Sequence, residues 1–137
     1  MNIALDELDR VQPPASMNAV NHYLWNINTR GTLVESLAAT NLAIEWATGN
    51  WSNKVYQGIH AYTDHPEVSI NKRTIAWLRA HAHYDDLHPV EAMELIKLLC
   101  GENIKLRDKA FNAVKNGLAY YEMALDECYK VQQEDCL

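Results

Sequence analysis

Apolar positions recur along this chain at helical rather than strand spacing, and the longest such pattern falls near its C-terminal end. Ile104, Phe111, Val114, Leu118, Tyr121, Leu125 and Cys128 follow one another at steps of seven, three and four. That periodicity predicts one long amphipathic helix from Ile104 to about Val131 with a single inward stripe. At 1.5 Å per residue such a helix reaches roughly 40 Å, the height of a small domain, so the shorter elements are expected to pack along it.

The preceding segments read as shorter helices. Asn2 can cap an opening helix with Ile3, Leu5 and Leu8 on one side, and Pro13-Pro14 ends it. Ser16 is the next expected N-cap, with Met17, Val20, Tyr23, Leu24 and Ile27 on one face. Thr32-x-x-Glu35 has the form of a capping box and opens a helix carrying Leu33, Leu37, Ala38, Leu42 and Trp46, which Gly49 is expected to close. A further helix is expected from Trp51 to Tyr62, weakened at Gly58. After a turn at Thr63–Pro66, Val68-Ser69 leads into a helix with Ile75, Trp77 and Leu78. Pro89 suits the first position of another, with Val90, Met93, Ile96, Leu99 and Cys100 inward and Gly101 at its end.

No segment alternates as a strand would. The expected fold is all-α: an irregular bundle of five to six helices organised on the long C-terminal one. One domain of 137 residues is expected, with residues 1–14 as an N-terminal arm and 132–137 as a frayed tail.

Composition narrows the functional classes. The formal charge is −6, which argues against nucleic acid and anionic membranes as partners. Cys100, Cys128 and Cys136 form no CxxC pair, as expected of thiols in a reducing cytoplasm. No signal pattern or transmembrane-length apolar run is present, so the chain reads as soluble and cytoplasmic.

Three groups of residues carry candidate chemistry. His81, His83, Asp85, Asp86 and His88 bring imidazoles and carboxylates within eight residues. Of these, His81, Asp85 and His88 sit at helical i, i+3 or i+4 spacings, as ligands of a transition metal would. A polar helix end whose histidines favour the helix dipole explains the same residues. Next, Glu91-x-x-Glu94 and Glu122-x-x-x-Asp126 place two carboxylate pairs on different helices, a set that could hold magnesium. This arrangement resembles the all-helical MazG-like nucleotide pyrophosphohydrolases, whose metal sites use an ExxE pair followed by an ExxD pair. The resemblance implies a metal-dependent hydrolase, although the second pair here is spaced by four and only those four residues match. The third group is Asn71, Lys72 and Arg73, which follow a turn at His65-Pro66 as in a helix-turn-helix that reads DNA. Between Trp51 and Pro89, however, four basic side chains are matched by four acidic ones.

Nucleophilic catalysis has no complete constellation: Cys100 and Cys128 fall on apolar faces and no phosphate loop occurs. The tryptophans are mostly at core spacing, whereas Trp51 and Tyr56 read as a half-exposed aromatic pair of the kind that anchors a protein partner. No cofactor is called for. The sequence therefore favours a non-enzymatic, acidic helical regulator, adaptor or inhibitor acting through a protein partner or its own homo-oligomer. The metal-dependent hydrolase and the DNA-binding protein are its alternatives.

Overall fold

The computed structural model describes residues 6, 9–66, 69–84 and 87–134. The expected opening helix at Asn2, Ile3, Leu5 and Leu8 lies outside them, as do Val68, Asp85, Asp86 and Cys136. Among the described residues there are five helices and no strand, so the all-α expectation holds.

Helix α1 spans Ala15–Arg30 and begins directly after Pro14. Ser16 is therefore not its cap but a buried residue of its first turn, whose N–H donates to Glu127 Oε2 at 3.0 Å. Helix α2 is continuous over residues 33–59 and built in three parts: an α-helical start Leu33–Leu37, a π-helical middle Ala38–Ile44 and an α-helical end Glu45–Ile59. Helix α3 is Ala76–Tyr84, α4 is His88–Cys100 and α5 is Ile104–Glu134.

The capping box forms as the sequence predicts. Thr32 Oγ1 accepts from Glu35 N at 3.3 Å, while Glu35 Oε2 accepts from Thr32 N at 2.8 Å and Thr32 Oγ1 at 2.7 Å. Replacing Thr32 with alanine orphans this end and is expected to cost about 1 kcal/mol in urea unfolding. The hydrogen bonds from Thr32, with lesser help from the Lys109 ammonium, hold the Glu35 carboxyl below its ordinary value of 4.5. Glu127 is lowered likewise by Ser16. A carboxylate lowered on folding stabilises above its unfolded pKa, and that contribution is lost as pH falls through the folded value. Acid unfolding is therefore expected to steepen below about pH 4.5, with a shallower dependence in Thr32→Ala.

Gly49 does not end α2. The helix runs through it to Ile59, because the apolar residues on either side continue to pack and one glycine costs only about 1 kcal/mol. Gly101, by contrast, does terminate α4 with φ +48° and ψ −127°, backbone that an L side chain enters only with strain. Gly101→Ala is expected to cost about 1–2 kcal/mol, read as a fall in Tm.

The core is built from small side chains. Ala38, Ala39 and Ala43 of the π segment face Ala110, Ala113 and Gly117 of α5, with Leu42, Ile96, Cys100, Val34 and Ile27 around them. This corrects the inward stripe expected for α5. Ile104 and Phe111 are 69% and 64% exposed, Leu118, Leu125 and Cys128 are exposed too, and only Val114 and Tyr121 of that set are partly buried. The reason is steric: a backbone approach close enough to seal the two helices admits only alanine and glycine at the contact line. The helix therefore turns its large residues aside.

The same rotation affects α4, where Ala92, Ile96 and Cys100 point inward and Val90 and Leu99 are exposed. In α2 the π segment breaks the register. Its i→i+5 bonds insert extra backbone per turn, so Leu42 is buried while Trp46, one α-helical turn later, is 63% exposed. Trp25 and Trp77 are exposed as well, against the expectation that the tryptophans fill the core.

Candidate functional site

The π segment and the start of the Glu45–Ile59 helix border two concave surfaces. One cleft of about 790 Å³ lies between that helix and α4; Leu42, Gly49, Pro89, Val90 and Met93 form its apolar base and Trp46 one wall. Asn53, Lys54 and Gln57 line one side, and Glu94 and Lys97 the other. Gln57 Nε2 donates to Asn53 Oδ1 at 2.7 Å, and Lys97 Nζ meets Glu94 Oε1 at 2.6 Å. An apolar pocket with a few convergent polar groups on its rim is the usual form of a small-ligand site.

A second groove of about 550 Å³ begins on the other side of Trp46 and runs between α4 and α5. Trp46, Met93, Phe111 and Leu118 are among its lining residues, all of which are apolar. The two concavities share Leu42, Trp46 and Met93. One turn away, Glu45 Oε1 accepts from Asn41 Nδ2 at 3.0 Å and its Oε2 lies 3.3 Å from His88 Nδ1. This ties the start of α4 to α2.

The residues singled out from sequence are distributed differently. His88 meets Glu45 rather than His81, whose ring stacks on Trp77 at 3.9 Å with Nδ1 2.9 Å from the Trp77 carbonyl oxygen. Asp85 lies outside the described residues. Glu94 is on the first cleft, and Glu91 is exposed one turn back on α4. Glu122 and Asp126 instead line a separate cleft of about 760 Å³ beside Ala15, Ser16 and Ala19 of α1. The two carboxylate pairs thus open onto different faces. No group of three or more His, Cys, Asp or Glu side chains converges among the described residues.

Asn71 precedes α3 instead of lying in a recognition helix. Its Oδ1 accepts from Arg73 N at 2.9 Å and Thr74 N at 3.2 Å, so the side chain is held in a local turn, with Lys72 and Arg73 exposed beside it. Trp51 is partly buried: its indole N–H donates to Tyr121 Oη at 2.6 Å and its ring lies 6.0 Å from that of Trp77. Tyr56, also partly buried, meets the His60 ring edge-on at 5.2 Å. Both aromatics have neighbours within the chain.

Sequence reasoning missed Trp46, Asn53, Gln57 and the Asn41–Glu45–His88 cluster. Trp46 read as core because an uninterrupted α-helix would bury it with Leu42. Asn53, Lys54 and Gln57 carried the only available signal, a polar run on a helix otherwise rich in aromatic residues.

Among the described residues, five helices, a π-helical centre and an open cleft against that centre define an all-helical bundle. No family model and no curated protein matches the chain. Among solved structures it is similar to a TenA homolog from Pseudomonas syringae pv. tomato str. DC3000, with 34% identity and a TM-score of 0.78. The match covers 94% of this chain and 53% of that one, so the chain spans about half the length of the structure it matches. This finding overturns the expectation of a non-enzymatic regulator, adaptor or inhibitor, because the likeness is to a family of enzymes. The carboxylate pairs that suggested a MazG-like hydrolase are apart, and Asn71 of the suggested DNA reader is held in a local turn before α3. No helix among the described residues is long and apolar enough to cross a membrane.

Proposed function

We propose that the chain is a TenA-type enzyme, or the part of one that carries its ligand cleft, and that it binds a small planar nitrogen heterocycle beside Trp46. The observation that supports this most is the 34% identity to the TenA homolog, sustained over 94% of the chain. TenA proteins are thiamine-salvage enzymes, and thiamine is made of two such rings. The cleft's chemistry suits them. The exposed indole of Trp46 offers a flat apolar wall, while the Asn53 and Gln57 amides and the Glu94 carboxylate supply donors and acceptors for ring nitrogens and amino substituents. A cytoplasmic location, with thiols such as Cys100 kept reduced, is part of the same proposal.

The test is to incubate the purified chain with thiamine and with its pyrimidine and thiazole fragments, following products by mass-resolved chromatography. Conversion of one of them is expected, and Asn53→Ala or Glu94→Gln should each lower kcat/KM by roughly tenfold, the effect of losing one well-placed hydrogen bond. If none is converted and none changes the tryptophan fluorescence, the reading fails.

A further inference from the structure

We propose that the polar side of the first cleft is a phosphate subsite, and that the heterocycle taken beside Trp46 is a phosphate ester. The proposal rests on the reading of this cleft as the ligand site and names the class of ligand it prefers. Charge is the first observation. The chain carries a formal charge of −6, yet no aspartate or glutamate occurs between Glu45 and Asp64, the stretch that supplies one wall of the cleft. Of the described charged residues that line it, Lys54 and Lys97 are positive and Glu94 is negative. A cleft whose charge is opposite in sign to that of the whole chain concentrates anions where the rest of the surface repels them.

The hydrogen bonds within the cleft leave donors on that wall. Gln57 Nε2 donates to Asn53 Oδ1 at 2.7 Å, which engages the Asn53 acceptor and leaves its Nδ2 hydrogens for another partner. Lys54 is exposed beside it, and no position three or four residues away along α2 holds a carboxylate that could pair with it. Across the cleft, Lys97 Nζ lies 2.6 Å from Glu94 Oε1. The carboxylate of the cleft is thus matched by Lys97, and the charge of Lys54 is left in excess.

These donors fit a phosphate better than a carboxylate. A carboxylate is met best by the two-pronged guanidinium of arginine, and no arginine is among the described residues that line the cleft. A lysine ammonium and a single amide are separate point donors, which suit the several oxygens and higher charge of a phosphate monoester. Trp46 and the apolar base then face the ring, while the phosphate lies on the Asn53 and Lys54 side. The volume of about 790 Å³ admits a two-ring ligand with its phosphate attached.

Calorimetric titration of the full chain with thiamine and with thiamine monophosphate tests this. Thiamine is a cation, so the net charge of the chain by itself favours thiamine over its phosphate, and the subsite is read from the opposite order. The expected result is that the monophosphate binds roughly tenfold more tightly at low salt, an advantage that shrinks as salt is raised. Lys54→Met should bring the ratio of the two affinities close to one, while Lys54→Arg, which keeps the charge, should retain most of it. Far-UV circular dichroism of both variants confirms that the helices persist. Equal affinities in the unaltered chain, or a preference that Lys54→Met leaves intact, overturn the phosphate subsite while leaving the ligand cleft standing. If neither compound binds, the reading of the cleft fails and the subsite with it.

Discussion

Gly117→Leu is expected to produce the largest loss of stability of any single substitution on α5. A Cβ at residue 117 would sit 3.3 Å from the Ala39 carbonyl oxygen, 3.6 Å from Ala39 Cα and 3.7 Å from Ala43 Cβ. Two of these three neighbours are backbone atoms of the π segment and cannot rotate away. For Gly117→Ala, the gain in helix propensity of about 1 kcal/mol offsets the tight oxygen contact, so that variant should unfold close to wild type. Leucine adds three further carbons into a contact that has no room for them. Overpacking of this kind costs roughly 1–3 kcal/mol, and here the upper end applies because the alternative is to separate α5 from α2 along the core. For a chain of this size that is a fall in Tm of about 10 °C. Thermal melts of the two variants side by side provide the check: equal losses in both would show that the helices do not meet where the structure puts them.

The second large effect is expected at Leu42. Its side chain is buried in the core cluster and also forms part of the base of both concavities beside Trp46. Leu42→Ala removes about three buried methyl and methylene groups and leaves a void, at a cost of roughly 2–5 kcal/mol. The lower half of that range is expected, because the floor of an open cleft can settle inward or admit water. Chemical denaturation should show the loss in midpoint with little change in slope. Because the residue supports the Trp46 wall, any ligand of the cleft should also bind less tightly in this variant than in Ile96→Ala, whose side chain lies behind the second groove alone. Equal ligand affinity in the two would separate Leu42 from the site.

The hydrophobic period of the sequence was enough for the fold class. Helices formed in most of the segments that the 3.6-residue pattern marked, although the break expected at Gly49 is absent and α3 begins only at Ala76; the Thr32–Glu35 box, Pro89 at the start of α4 and Gly101 after its end all formed. These features depend on neighbours a few residues away, which a sequence displays directly. The face that each helix buries was not legible in the same way. In α5 the large apolar residues form the more obvious stripe, yet the alanines and Gly117 beside it are what the π segment packs against. Which of two adjacent stripes goes inward depends on how closely another helix approaches, and that distance is set by residues some 70 positions away.

The site was hidden for a related reason. Trp46 shares a helical face with Leu42 only if the backbone is α-helical throughout, and the π segment between Leu37 and Glu45 removes that register. Asn53, Gln57 and Glu94 carry no motif, since they meet only because α4 folds back over the end of α2. The sequence by itself determined the all-α class, the Thr32–Glu35 box, the stop at Gly101 and a negative net charge, all consequences of local periodicity and composition. Only the tertiary structure decided which apolar residues are core and which are exposed, because small residues permit a close helix approach that excludes the large ones from the contact.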